Sequence, residues 1–252
     1  MPTLKSPWLW WPRPNPRARL RLFCFPYAGG SASTFRDWPR GIPDDVELCA
    51  IQPPGRGHRL SETPFVDLRL LVQASIEAIQ PLCEKPFAVF GHSMGAKLGF
   101  EFTRQLRQQS IQPVHLFLSG CRAPQIAEPK PFYDLPHPKF MEKLRELKGT
   151  PAELLDDPEM MAIMVPLMRA DFEALQTHVF AVEPPLDCPL TVFGGLQDDG
   201  ISRDHLEGWQ RHTNSRFSLQ MFPGDHFYFR KSESLLLAAI SETLITYHTP
   251  GQ

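Results

Sequence analysis

The fold is decided by the stretch Phe87-Ala88-Val89-Phe90-Gly91-His92-Ser93-Met94-Gly95. Its first four residues are all apolar, which is typical of a strand buried on both faces of a parallel sheet. The next five match G-x-S-x-G, and a helical pattern with Leu98, Phe102 and Leu106 on one face follows. A sharp turn from strand to helix holds the serine in a strained conformation, and the flanking positions must lack side chains. The stretch therefore predicts a nucleophilic Ser93 at the edge of a sheet.

Apolar runs of this kind recur along the chain and alternate with helical patterns. The predicted strands are Leu20–Phe25, Val46–Ile51, Phe87–Phe90, Val114–Leu118, Leu190–Phe193 and Arg216–Phe222. Helices are predicted over Leu68–Ile79, directly after Ser93, and around Ser232–Tyr247, because apolar residues in each recur at helical spacing. Alternation of strand and helix predicts an α/β fold with a mostly parallel central sheet and flanking helices.

One segment interrupts this alternation. Between Leu118 and Leu190 lie about 70 residues with no clear strand, too many for a simple loop. Helical patterns cover Phe140–Leu147, Glu159–Met164 and Leu167–Val182. We therefore expect a single domain spanning residues 1–252, with a helical lid insertion at about 122–186 over the C-terminal edge of the sheet. Four methionines of the insertion either face a substrate or only pack the insertion onto the core: Met160, Met161, Met164 and Met168.

Composition excludes several classes of protein. With 42% hydrophobic and 21% charged residues and a net charge of −2, the chain gives no reason to expect nucleic acid or a membrane surface as partner. No apolar run approaches the ~18 residues of a membrane span. The five cysteines include no C-x-x-C pair, so we expect reduced thiols and a cytoplasmic protein, with no zinc site.

A serine nucleophile needs a general base and an acid that orients it. In this fold the chain order is serine, acid, histidine. His226 follows the last predicted strand and is the expected base. The turn after Leu190–Phe193 offers two acids, Asp198 and Asp199, of which the sequence geometry favours Asp198.

An oxyanion hole needs two backbone N–H groups. Met94, directly after the nucleophile, should supply one. The loop after the first strand, which contains the adjacent glycines Gly29 and Gly30, should supply the other. Ala28 is the expected donor, and Tyr27 is the alternative.

Five motifs carry a resemblance to a known family. They are Phe25-Pro26-Tyr27-Ala28-Gly29-Gly30, Gln52-Pro53-Pro54-Gly55-Arg56, Gly91-His92-Ser93-Met94-Gly95, Met168-Arg169-Ala170-Asp171-Phe172 and Phe222-Pro223-Gly224-Asp225-His226-Phe227-Tyr228. Beyond its first 20 residues the sequence resembles the type II thioesterases associated with nonribosomal peptide and polyketide synthases. These have the α/β-hydrolase fold. The family pattern G-x-x-D falls on Gly195 to Asp198, although Asp-Pro, frequent in such families, is here Asp198-Asp199.

The resemblance implies a function. Such enzymes hydrolyse acyl or aminoacyl thioesters from the phosphopantetheine arms of carrier proteins and so clear blocked synthases. It implies acyl or peptidyl carrier domains as partners, no cofactor and no metal, and we expect a monomer. Arg169 and Asp171 mark the insertion in the family pattern, and their simplest interpretation is a local ion pair and helix capping.

Basic residues after the second long strand suggest a contact with the carrier. Arg56, His58 and Arg59 follow a Pro-Pro-Gly turn at the sheet edge that should hold the active site. Arg56 and Arg59 could meet a phosphopantetheine phosphate or an acidic carrier surface, or could be ordinary surface residues. The alternatives to the whole hypothesis are a medium-chain fatty acyl-carrier-protein thioesterase, a general carboxylesterase, or a non-catalytic carrier-binding module.

Overall fold

The computed structural model describes residues 6–127 and 129–247. A seven-stranded sheet runs through it in the order β1-β3-β2-β4-β5-β6-β7. The strands are β1 Leu9–Trp10, β2 Leu20–Phe25, β3 Val46–Ile51, β4 Phe87–His92, β5 His115–Ser119, β6 Leu190–Gly195 and β7 Phe217–Phe222. All pairs among β2 to β7 are parallel, so the predicted α/β architecture is confirmed.

Two apolar cores cover the faces of the sheet. The α-helices are α1 Leu68–Ile79, α2 Met94–Arg107, α3 His137–Glu146, α4 Ala152–Leu155, α5 Pro158–Gln176, α6 Arg203–Glu207 and α7 Glu233–Ile245. Helices α1 and α2 contribute to one core, and α7 contributes to the other. Asp67 caps α1 by accepting the N–H groups of Arg69 and Leu70. Among the described residues, no helix is long and apolar enough to cross a membrane.

The first strand was missing from the sequence prediction. Leu9 and Trp10 pair antiparallel with Ile51 and Ala50 at the edge of the sheet. Two residues are too few to show a strand periodicity, and the surrounding prolines indicate only a loop. Pairing with β3 therefore decides this element.

The segment between β5 and β6 forms the helices α3, α4 and α5, with a small apolar core of its own. The prediction of two helices divided before Leu167 is wrong, because α5 runs without interruption through Pro166 and ends at Gln176. Proline removes one hydrogen bond from a helix. The helix continues because it is buried on both sides of the proline, through Met161, Val165, Leu167, Met168, Ala170, Asp171 and Ala174. Helix α4 was not predicted, since a single turn carries little periodicity.

Candidate active site

The serine turn has the geometry that the motif requires. Ser93 has φ 54° and ψ −116°, a strained conformation for a residue with a side chain. A Cβ atom on Gly91 would lie 2.0 Å from the Gly95 carbonyl oxygen, and one on Gly95 would lie 2.2 Å from the Phe25 oxygen. Both positions therefore require glycine, because a neighbouring backbone segment occupies the space that a Cβ atom would need. Ser93 lies at the start of α2, where the helix dipole favours negative charge.

The predicted base and acid are in contact. His226 Nδ1 lies 2.7 Å from Asp198 Oδ2. The other carboxylate oxygen of Asp198 accepts the N–H groups of Gly200 at 3.0 Å and Ile201 at 3.1 Å. The Asp198 side chain is only 4% exposed, and both of its oxygens are hydrogen-bonded. His226 and Ser93 line the same cavity.

The competing acids lie elsewhere. Asp199 is exposed, whereas Asp198 reaches the imidazole, so the structure distinguishes the two candidates that the turn offered. Asp225 accepts the Phe227 N–H at 2.9 Å and so orders its own loop. Another histidine late in the chain, His248, lies outside the described residues.

The two expected oxyanion donors lie beside the cavity. Met94 is the first residue of α2, so its N–H has no acceptor within the helix. Ala28 and Tyr27 both line the cavity with Ser93. Gly29 donates its N–H to Asp171 Oδ2 at 2.7 Å, and Gly30 donates to the Tyr27 oxygen at 2.8 Å. Only Tyr27 and Ala28 are thus left as candidates in this turn.

The insertion forms the apolar wall of the cavity. Its contributions are Leu144, Leu147, Leu154, Met164, Met168 and Phe172. Of the four methionines, Met164 and Met168 face the cavity, Met161 is buried within the insertion, and Met160 is partly exposed. An apolar wall facing a strained serine suits an acyl chain. No group of metal-ligating side chains is found in residues 6–127 and 129–247.

A buried histidine packs against the loop that carries His226. His92 Nδ1 lies 2.8 Å from the Ser119 hydroxyl, which lies 2.6 Å from the Tyr228 hydroxyl. Burial, with smaller contributions from His226 and Arg230, lowers the pKa of His92 well below its usual value. The His92 ring lies near the His226 ring, tilted by 48° with 5.0 Å between the centroids. This network was not predictable from sequence patterns, because its members come from three separate segments.

The interpretation of Arg56 and Arg59 as surface residues is wrong. Arg56 is 4% exposed and Arg59 is 5% exposed. Arg59 binds the Glu62 carboxylate and the Gln52 carbonyl oxygen, and it covers the Trp8 ring at 4.3 Å. Arg56 is bound to Asp171. Neither guanidinium is exposed for contact with a carrier, because both are buried and hydrogen-bonded to acceptors inside the protein.

The local interpretation of Arg169 and Asp171 is also wrong. Arg169 binds the carbonyl oxygens of Tyr133 and Leu135 and stacks on Phe140, all within the insertion. Asp171 instead reaches out of the insertion to Arg56. Sequence spacing could not predict the pair of Arg56 and Asp171, because the two residues are 115 positions apart.

Comparison with known proteins is consistent with this geometry. The sequence model of the thioesterase domain matches residues 20–245. The chain belongs to the thioesterase domain family. The gramicidin S biosynthesis protein GrsT of Aneurinibacillus migulanus is 47% identical over 221 residues, covering 87% of this chain and 86% of that protein. A Brevibacillus parabrevis protein named linear gramicidin dehydrogenase LgrE is 40% identical over 247 residues, or 96% and 94% of the two chains.

A solved structure extends the similarity to three dimensions. The type II thioesterase BorB from the borrelidin biosynthetic cluster superposes on this thioesterase with a TM-score of 0.86 at 31% identity. The match covers 94% of this chain and 97% of BorB. Because the coverage is nearly complete, the insertion belongs to the shared architecture.

Proposed function

We propose that this chain is a type II thioesterase that hydrolyses acyl or aminoacyl thioesters from the phosphopantetheine arms of carrier proteins. The pathway is one of nonribosomal peptide or polyketide synthesis, and the enzyme acts as a cytoplasmic monomer. One observation carries the proposal: a strained Ser93 and a His226–Asp198 pair at 2.7 Å share a cavity with an apolar wall, in a chain of the thioesterase family.

In the proposed reaction Ser93 Oγ attacks the thioester carbonyl carbon while His226 Nε2 takes the hydroxyl proton. The N–H groups of Met94 and Ala28 stabilise the oxyanion of the tetrahedral intermediate. The C–S bond then breaks, His226 returns the proton to the departing sulfur, and an acyl ester on Ser93 remains. Water deprotonated by His226 attacks this ester, which releases the free acid and restores the serine. Asp198 holds the imidazole tautomer, and no cofactor or metal takes part.

The relative named a dehydrogenase suggests a different reaction, hydride transfer. Such enzymes typically bind a dinucleotide on a G-x-G-x-x-G turn between a strand and a helix. This sequence contains no such turn, and its strand-to-helix turn after β4 holds a serine instead. We therefore favour hydrolysis.

The test is the pair of wild type and Ser93→Ala. The wild type should release carboxylic acid from acyl carrier proteins and should be labelled by a fluorophosphonate, whereas the variant should do neither. Labelling that persists in Ser93→Ala would place the nucleophile elsewhere. An intact-mass survey of carriers loaded with acetyl, aminoacyl and medium-chain groups, beside a p-nitrophenyl ester, separates editing from fatty-acyl and general esterase activity. Pathway yield unchanged by Ser93→Ala would favour a non-catalytic carrier-binding module.

A further inference from the structure

A buried carboxylate joins the insertion to the loop that holds the expected oxyanion donor. Asp171 lies on α5 and is 1% exposed. Its two oxygens accept both terminal nitrogens of Arg56, each at 2.7 Å. The same Oδ2 accepts the Gly29 N–H at 2.7 Å. Charge-assisted bonds of this length, in a bidentate pair, fix orientation as well as distance.

The loop is held on more than one side. The turn Tyr27 to Gly30 is closed by the Gly30 N–H bond to the Tyr27 oxygen, and Gly29 has φ +74°, which a residue with a side chain rarely adopts. Arg56 Nη1 also donates to the Gly30 oxygen at 3.2 Å. The ion pair therefore contacts the N–H at one position of the turn and the carbonyl at the next.

Helix α5 presents two residues of one face to this turn. Met168, one helical turn before Asp171, lines the cavity, and a Cβ on Gly29 would lie 3.2 Å from its terminal methyl carbon. Asp171 accepts the N–H of the same glycine. The insertion thus contacts the turn Tyr27 to Gly30 through the apolar side chain of Met168 and through the carboxylate of Asp171.

We propose that Asp171 is a positioning residue for the oxyanion hole. By accepting the Gly29 N–H it fixes the plane of the Ala28–Gly29 peptide, and the adjacent Ala28 N–H is thereby aimed at the oxyanion. The inference rests on the proposed function, since it assigns a role in that reaction. It also predicts that the C-terminal half of α5 stays attached to the core during turnover, because its movement would strip a buried charge of its partners.

A purely structural ion pair is the competing explanation, and catalysis distinguishes the two. Asp171→Asn removes the carboxylate that pairs with Arg56 and can destabilise the fold, because it leaves a buried guanidinium without a counter-charge. Asp171→Leu combined with Arg56→Met removes both charges and leaves the Gly29 N–H without an acceptor. The control is Arg104→Met with Glu183→Leu, which removes a buried arginine of α2 and one of its two carboxylate partners, the other being Glu101.

The measurement is steady-state hydrolysis of an acyl-N-acetylcysteamine thioester, together with inhibition by an alkyl boronic acid that forms a tetrahedral adduct at Ser93. In the folded double variant kcat should fall about 100-fold, as expected for a donor displaced by about 1 Å, with KM changed less than about threefold. Boronate affinity should fall by a similar factor, because the adduct uses the same donors. The control should keep kcat within about threefold.

A folded double variant with kcat near that of the wild type would overturn the proposal, as would an equal loss in the control. Hydrogen exchange of the wild type needs no variant: the Gly29 amide should exchange slowly, and the Ala28 amide should slow on boronate binding. Fast exchange at Gly29 would contradict the assignment. If the wild type itself neither hydrolyses thioesters nor is labelled at Ser93, the proposed function fails, which is a different result.

Discussion

Replacing Asp198 by asparagine tests how the proposed base is held. The carboxylate serves two purposes: Oδ2 accepts from His226 Nδ1, and Oδ1 accepts from the Gly200 and Ile201 N–H groups. An asparagine has only one acceptor oxygen. If that oxygen stays with the two backbone N–H groups, the amide nitrogen faces His226 Nδ1.

The consequence is a reversed tautomer. An amide N–H opposite Nδ1 requires that nitrogen to be an acceptor, so the imidazole proton moves to Nε2, which can then no longer take the serine proton. In a serine protease the corresponding change lowers kcat about 10⁴-fold, or about 5.5 kcal/mol of transition-state stabilisation, and we expect a similar loss here. KM should change little, because the carboxylate does not line the cavity.

The assay is thiol release from an acyl-N-acetylcysteamine thioester, followed with a chromogenic disulfide at pH 7.5. Asp199→Asn is the matched control, because this neighbour is exposed, and it should retain the wild-type rate. Thermal unfolding confirms that both variants fold. A rate in Asp198→Asn within about tenfold of the wild type, or an equal loss in Asp199→Asn, would refute the assignment.

Three further predictions concern stability. Burial lowers the pKa of His115 to about 3, so the unfolded state binds the proton first as pH falls below about 6.5, and the unfolding free energy drops by up to about 1.4 kcal/mol per pH unit. Urea titrations at pH 7.5 and 5.5 should show a larger loss of unfolding free energy for the wild type than for His115→Gln. Equal losses in the two proteins would contradict this. Arg59→Met should lower the unfolding free energy measured in urea by about 1–3 kcal/mol and should alter the hydrolysis of carrier-bound and soluble thioesters alike. A change in KM for the carrier-bound substrate alone would instead indicate that Arg59 contacts the carrier. Gly95→Ala should yield little folded protein in circular dichroism, because its Cβ would meet the Phe25 oxygen at 2.2 Å. A melting temperature equal to that of the wild type would contradict this, because it would mean that the backbone moves to accommodate the methyl group at little cost.

Most of the sheet was predictable because its strands are apolar on both faces. The runs that became β2, β3 and β4 are buried at nearly every position, so composition alone marks them. Pro166 shows the limit of such reasoning. Proline is a helix breaker by local propensity, but the burial of α5 on both sides of Pro166 outweighs the loss of one hydrogen bond.

The arginines show a second limit. A carrier contact and an ordinary surface position both require Arg56 and Arg59 to be exposed, as arginine is on average, and that average fails when a buried acceptor is present. The acceptor for Arg56 is Asp171, which lies on another element. A charge whose partner is distant in the chain cannot be recognised from one sequence, since periodicity describes only neighbours.

The sequence by itself determined the strained serine turn, the loop position of the candidate base and the α/β sheet, because each depends on local spacing: glycines around Ser93, a histidine after the last strand, and apolar runs of strand length. The tertiary structure decided which of two adjacent aspartates reaches His226, which methionines of the insertion face the cavity, and what Asp171 binds. These outcomes depend on the directions in which side chains leave elements that are far apart in the chain, and only packing sets those directions.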